Sequence, residues 1–270
     1  MAEYQLVIPA GGRCLRMQGF GFNPVNKATD LKIGEETLLD RLIRQYYMAG
    51  VRRFVILKGA SDTDIGMRYS VQQGIKRYKM MQEDKTLRVF YSHDPKNSKP
   101  GNAGAIALAL QRGSIDPNLP MIVHNPDDLI LSPDYPTLFM LKHEEYVRRG
   151  GKVTVVVVPE VPHPYSLLTM AVPEFEQVRT IQKGVYIPAI SHVGVTLFEP
   201  KAFGLFDYVA LNQDRSFESD VLPSLTDKGE LYAIFIPSSE WLPINDYKQY
   251  LDAIIKILDL GIATIPEGEE

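Results

Sequence analysis

The first 130 residues alternate short apolar runs with helix-patterned stretches, and this alternation constrains the fold more than any other feature of the chain. Residues 4–10 read as a buried strand closed by the loop Gly11-Gly12-Arg13. Residues 53–58, 87–92 and 120–124 read as three further strands. Between them, residues 37–49 read as an amphipathic helix, with Leu38, Leu39, Leu42, Ile43, Tyr46 and Tyr47 on one face at helical spacing. Thr37 with Asp40 three residues on forms a capping-box pattern, and Gly50 supplies the stop. Residues 62–81 read as a weakly patterned helix, and residues 101–111 as an Ala-rich one closed by Gly113. Strand–helix–strand order of this kind predicts an α/β fold with a mainly parallel sheet and helices on both faces. Ligands of such sheets bind beyond the carboxyl ends of the strands, at the switch point.

The second half is patterned differently. Residues 152–158 read as a buried strand, residues 231–237 as a late one, and residues 218–225 and 246–260 as helices. From 159 to 198, short strand signals punctuated by Pro and Gly predict a small antiparallel lobe. No Ser/Gly-rich linker and no internal repeat divides the chain. The expectation is therefore one domain over residues 1–270, with residues 1–130 and 131–270 as its halves.

Composition removes several classes of function. Net charge is 29 − 33 = −4, so there is no basic surplus to neutralise a nucleic-acid backbone. The single cysteine, Cys14, excludes an internal disulfide framework and a Cys-rich zinc module. The longest apolar runs, such as residues 153–158, are far short of the roughly 20 residues of a membrane helix. The amino end has neither the basic start nor the apolar stretch of a signal peptide, so a soluble cytoplasmic protein without membrane or nucleic-acid partners is expected.

Three short segments carry chemistry. The glycine pair Gly11-Gly12 after a buried strand lets backbone N–H groups approach a phosphate, and Arg16 adds a planar charged fork. Alone, the pair also reads as a plain turn. Lys27, in Asn26-Lys27-Ala28, is ordinarily a solvated charge, but it lies between that loop and the next helix. Asp127 and Asp128 follow an apolar strand, where a carboxylate can hold Mg²⁺; Asn125-Pro126-Asp127-Asp128 is equally good turn chemistry. There is no G-x-x-x-x-G-K-[ST], no G-x-G-x-x-G after the first strand, no H-E-x-x-H and no G-x-S-x-G.

Taken in order, these segments resemble the sugar-phosphate nucleotidylyltransferase family, whose signature is a strand, then A-G-G-x-G-T-R-L, then a lysine. Ala10-Gly11-Gly12-Arg13-Cys14-Leu15-Arg16-Met17 occupies that signature, and Asn26-Lys27-Ala28 follows. Residues 33–41 are similar to the family's G-K-P-L-I-D-R helix start. Pro100 precedes Gly101-Asn102-Ala103-Gly104-Ala105, which is similar to G-T-A-G-A, and Asn125-Pro126-Asp127 is similar to N-G-D. Gly194-Val195-Thr196-Leu197-Phe198 resembles G-I-Y-V-F, and residues 217–223 resemble F-E-x-D-V-L-P. Departures are local. Cys14 and Leu15 replace glycine and threonine, Gln182 before Lys183 replaces the glutamate of E-K-P, and Pro243 replaces a metal carboxylate. Only about one helix follows Asn245, so the C-terminal β-helix of many relatives is not expected here.

The resemblance implies a Rossmann-like, GT-A-like three-layer fold. It further implies an enzyme converting NTP and sugar 1-phosphate to NDP-sugar and pyrophosphate, with Mg²⁺ as cofactor. Residues 1–130 would then mainly bind nucleotide and residues 131–270 mainly sugar phosphate. By the same resemblance Arg16, Lys27 and Asp127 are catalytic. Ala10, Gly11, Gly12, Arg13, Pro100, Gly101 and Asn102 hold the nucleotide, and Tyr165, Gln182, Lys183 and Gly194 the sugar phosphate. Asp127 with Asn245, or with Asp246, holds the metal. A homo-oligomer is compatible with this reading. Two alternatives stay open: a non-catalytic nucleotide- or NDP-sugar-binding regulator, suggested by the departures, and a GT-A glycosyltransferase, against which stands the adjacent Asp127-Asp128 in place of Asp-x-Asp.

Overall fold

Strand β1 (Gln5–Pro9) is buried through the side chain of Gln5 itself. That amide is satisfied by the loop ahead of the fourth predicted strand: Nε2 donates to the carbonyls of Asp116 (2.7 Å) and Leu119 (2.9 Å), and Oε1 accepts from Asp116 N–H. These contacts belong to a computed structural model that describes residues 3–12, 17, 26–59, 64–96, 98, 100–162, 167–170, 178–182, 186–187, 190–209, 211 and 213–261.

After β1 come α1 (Lys27–Asp30), the short pair β2 (Lys32–Ile33) and β3 (Glu36–Thr37), then α2 (Leu38–Met48) and β4 (Arg53–Lys58). Then follow α3 (Asp64–Arg77), α4 (Lys79–Glu83), β5 (Arg88–His93), α5 (Gly101–Gln111), β6 (Met121–His124) and β7 (Asp128–Ile130). The second half holds α6 (Tyr135–Arg148), β8 (Val153–Val158), β9 (Val161–Pro162), β10 (Leu167–Met170), β11 (Val178–Gln182) and β12 (Tyr186–Ile187). It continues with β13 (Ser191–Phe198), α7 (Phe217–Asp220), α8 (Pro223–Thr226), β14 (Leu231–Phe235), β15 (Trp241–Pro243) and α9 (Tyr247–Asp259).

Seven strands form one sheet in the order β14-β8-β13-β6-β1-β4-β5. β1 pairs in parallel with β4 and β6, β4 with β5, and β14 with β8. β13 runs antiparallel to both its neighbours and is the reversed strand of the sheet. The chain runs outward from β1 through β4 to β5, then returns to β6 on the other side of β1. The switch point is thus between β1 and β6, and a crevice opens there. One face of the sheet is packed by a cluster including Leu39, Ile43, Tyr46, Met67 and Phe139; the other by one including Ile106, Ala107, Phe203, Phe206 and Phe217. A third cluster joins Met17, Leu31 and Leu38 to Leu129, Ile244 and Ile257. Among the described residues no helix is long and apolar enough to cross a membrane.

The α/β class and the mainly parallel sheet agree with the sequence pattern, and the capping box at Thr37 is formed in both directions. Three expectations need correction. The helix expected over 62–81 breaks at Tyr78, whose backbone is extended (φ −115°) while its hydroxyl donates to the buried Glu36 carboxylate. The helix expected over 218–225 is two single turns, because Pro223 has no N–H to continue the first. The antiparallel region does contain the pairs β10–β11 and β9–β12, but its last strand, β13, leaves it to join the central sheet. Helix α6 was not anticipated; it buries Tyr135, Phe139, Met140 and His143 along one face.

Candidate active site

A cavity of about 510 Å³ opens over the carboxyl ends of β6, β1, β4 and β5, within the usual size of a ligand pocket. Its wall contains Ala10, Gly11 and Gly12 after β1, Lys27 at the start of α1, Gly101 and Asn102 at the start of α5, and Asp127 after β6. These residues lie far apart in sequence and meet because parallel strands end on the same side.

The loop after β1 is shaped by close approach. A Cβ on Gly11 would stand 2.5 Å from Gly59 N, so only glycine lets this turn lie against the end of β4. A Cβ on Gly12 would meet nothing within 4 Å, so its surroundings leave room beside the backbone. Asn26 ties the loop to α1: its Nδ2 donates to Ala10 O (2.5 Å), and its Oδ1 accepts from Ala28 N (2.8 Å) as the helix cap. This double tether fixes where Lys27 emerges.

Lys27 Nζ donates to Asp127 Oδ2 and to the carbonyl of Ile244, both at 2.8 Å. Ile244 N–H in turn donates to Asp127 O (2.8 Å), extending the β7–β15 ladder into the site. Behind Asp127 stands Asp128, whose Oδ1 accepts from Trp241 Nε1 (3.0 Å) and Oδ2 from Asn125 Nδ2 (3.2 Å). Burial, then the Asp127 charge, pushes the Asp128 carboxyl up to about 7. Gly194 (φ +70°) backs this group: a Cβ there would stand 2.0 Å from Asp128 Oδ2. Burial also holds the His124 imidazole at about 4, hence neutral at pH 7. Its Nε2 faces Asp128 O (2.8 Å) and so carries the proton, leaving Nδ1 to accept from Tyr46 O–H (3.0 Å).

On the opposite wall, Gly101 (φ +65°) is forced by the Arg215 backbone, whose carbonyl would lie 2.1 Å from a Cβ. Asn102 is held by the following turn: its Oδ1 accepts from Phe217 N–H (2.9 Å) and its Nδ2 donates to Glu218 (3.2 Å). Pro100 stands behind this wall, its carbonyl accepting from Arg215 N–H (3.2 Å).

The other expected site residues are placed as follows. The backbone N–H of Asn245, next to Ile244, donates to Gln249 Oε1 (2.7 Å). The Asp246 carboxylate caps α9 by accepting from Gln249 N–H (2.9 Å). Gln182 ends β11. Arg13, Arg16, Tyr165 and Lys183 lie outside the described residues. The cavity wall also includes Lys58, Asp94, Asn125 and Asp214, which sequence reasoning had not singled out as ligand contacts. Lys58 and Asp94 stand at the carboxyl ends of β4 and β5, and the strand-end rule applied to those two strands finds both. Asp214 gives no local signal. Among the described residues no group of three or more His, Cys, Asp or Glu side chains is arranged to hold a metal.

No protein-family model and no curated protein sequence matches the chain. Solved structures do. HddC from Yersinia pseudotuberculosis matches with a TM-score of 0.61 at 23% identity, over 94% of this chain and 99% of that one. The same protein complexed with GMP-PN matches with a TM-score of 0.59 at 22% identity, over 94% and 99%. A Bacillus anthracis protein assigned as a glucose-1-phosphate thymidylyltransferase, in complex with a sucrose, matches with a TM-score of 0.66 at 15% identity, over 98% of each chain. At these identities the likeness is one of fold: the chain has the α/β architecture on which HddC and that thymidylyltransferase are built.

Proposed function

We propose that the chain is a sugar-phosphate nucleotidylyltransferase, converting NTP and sugar 1-phosphate to NDP-sugar and pyrophosphate. The observation that carries this reading is the Lys27–Asp127 pair, set at 2.8 Å on the wall of a cavity that also contains the Gly11-Gly12 turn. A cation and a hard-oxygen donor beside close-approach glycines suit a phosphorylated ligand. The order of motifs along the chain and the shared fold with a thymidylyltransferase support the same class.

In this reading the sugar phosphate oxygen attacks the α-phosphorus of the nucleotide in line, and pyrophosphate leaves. A phosphate monoester has its second pKa near 6, so it is already largely ionised and needs no general base. The work of the protein is positioning and charge neutralisation. Gly11 and Gly12 let backbone N–H groups approach the phosphates. Lys27 offsets charge at the α-phosphate, and Arg16 holds the departing β- and γ-phosphates. Lys183 holds the incoming sugar phosphate, with Tyr165, Gln182 and Gly194 on the sugar side.

The donors at this end of the cavity are hard oxygens and fit Mg²⁺, which needs only one or two carboxylates when substrate phosphates complete its shell. Asp127 would hold it, with Asn245 beside the paired Ile244; the Asp246 carboxylate is engaged as the cap of α9. Bound there, Mg²⁺ would neutralise phosphate charge.

The test is pyrophosphate release with Mg²⁺, each NTP including dTTP, and a panel of sugar 1-phosphates. Release that depends on one NTP, one sugar phosphate and an intact Asp127 supports the reading and names both substrates. No release above the Asp127→Ala control across the panel overturns it.

A further inference from the structure

Strand β6 ends on a buried histidine that the phosphate chemistry leaves unused. His124 is 1% exposed, and its ring lies edge-on to those of Tyr46 on α2 and Tyr135 on α6, each pair of centroids 5.7 Å apart. Burying an imidazole is costly unless both its nitrogens find partners. Both do, with Tyr46 O–H on Nδ1 and Asp128 O on Nε2. The carbonyl needs that donor for a reason of register. β7 and β15 pair antiparallel, with Asp128 opposite Pro243. Ladder bonds come at alternate positions: Ile244 N–H donates to Asp127 O (2.8 Å), and Leu131 N–H to Glu240 O (2.9 Å). Asp128 lies in the pair type that makes no ladder bond, so its carbonyl turns away from β15 and toward the His124 ring.

We infer that His124 is a positioning residue for Asp127: its Nε2–H anchors the Asp128 carbonyl, and this aims the neighbouring Asp127 carboxylate at Lys27 and the phosphate end of the cavity. Successive side chains of an extended segment face opposite sides. Asp128 accordingly turns inward to Trp241 Nε1 and Asn125 Nδ2, while Asp127 meets Lys27 Nζ at 2.8 Å. The base of the turn is closed by Asn125 N–H on Gly194 O and by Asp128 N–H on Asn125 O, both at 3.1 Å. His124 Nε2 is the bond that ties this turn to the core beneath it. Without it the Asp128 peptide is free to rotate, and Asp127 rotates with it. Amide side chains separate the two ring nitrogens. Glutamine extends to about the reach of Nε2, asparagine only to that of Nδ1, and leucine fills the space without a donor.

The kinetic part of this inference rests on the reaction proposed above; the other two measurements do not need it. In the full chain labelled with ¹⁵N-histidine, ring ¹H–¹⁵N correlations at pH 7 should show one histidine, identified by its loss in His124→Gln, as the Nε2–H tautomer with its proton protected from exchange. Mn²⁺ binding to the nucleotide-free protein should weaken by about fivefold or more in His124→Leu and His124→Asn, and His124→Gln should recover most of that loss. In pyrophosphate release, Leu and Asn should lower kcat by about tenfold or more with the nucleotide KM within about threefold, since a misaimed carboxylate costs alignment more than binding, and Gln should again recover. Recovery by Gln but not by Asn cannot come from packing alone. An Nδ1–H tautomer, or Mn²⁺ affinities that do not follow this order, overturns the inference. The expected Mn²⁺ order without pyrophosphate release leaves it standing and removes the reaction. Pyrophosphate release at full kcat in His124→Leu does the reverse.

Discussion

Lys27 stands where a cation at Asp127 would have to compete, and its replacement should show the competition. At 2.8 Å the two charges attract by roughly 6 kcal/mol at an effective dielectric near 20. The side chains are 19% and 28% exposed, so solvent and desolvation reduce this. A net value of about 1–3 kcal/mol lies between measured exposed and buried pairs. Lys27→Met removes both the competing bond and the repulsion between ammonium and metal. Mn²⁺ binding to the nucleotide-free protein, followed by electron paramagnetic resonance, should therefore tighten by about 5- to 150-fold. Pyrophosphate release by the same variant should fall about 10²-fold or more if Lys27 offsets charge in the transition state. Tighter metal with slower chemistry is a combination that partial unfolding does not produce. Mn²⁺ binding unchanged or weakened in Lys27→Met would refute the competition, whatever happens to the rate.

Arg16→Ala should lower kcat by about 10²-fold or more, and an unchanged kcat removes Arg16 from the mechanism. The two loop glycines should separate in thermal melts: Gly11→Ala lowers Tm by several degrees because its Cβ has no room, while Gly12→Ala leaves Tm within about a degree and weakens nucleotide binding instead. Equal melting losses would contradict this division. The pH dependence of stability should depend on Asp128. The folded His124 is depressed to about 4, so the unfolded chain takes up its proton first and stability is lost as pH falls from 6.5 toward 4. A histidine held that far below its ordinary value costs about 3 kcal/mol of stability once the pH has fallen past 4. Asp128, raised to about 7, acts with opposite sign: its contribution is present below about 3.8 and lost as pH rises toward 7. Asp128→Asn removes the offset, so urea midpoints of this variant should fall more steeply than wild type between pH 6.5 and 4; parallel profiles would contradict it.

The sequence carried the strand–helix alternation because buried parallel strands are continuous apolar runs, and 53–58 and 153–158 are such runs. The same logic of strand ends picked out Gly11, Gly12 and Asp127, which the fold sets on one cavity wall. What stayed hidden has physical causes. Tyr78 breaks a helix for the sake of a partner 42 residues away, which no local pattern records. Helix α6 was missed although Pro136 sits in its first turn, where a missing N–H costs nothing. Gly101 and Gly194 drew attention as ligand contacts, yet the protein's own Arg215 backbone and Asp128 carboxylate already require glycine there. Asp246 drew attention as a carboxylate, while its spacing to Gln249 makes it a helix cap.

The ladder that brings Ile244 to Asp127 and Lys27 has a consequence for how the molecule comes into being. Lys27 and Ile244 are 217 positions apart, and Lys32 and Tyr250 are 218 apart. Strands β1, β4, β5 and β6 can assemble from the first half of the chain, but this end of the cavity closes only when the last thirty or so residues arrive. On the ribosome, at about 5–20 residues per second, that leaves several seconds or more during which the early strands exist without β15. Contacts of such span also slow folding, since the loop must close before they reward it. A nascent chain halted before β15 should bind neither Mn²⁺ nor nucleotide, and competence for both should arrive together with the final helix.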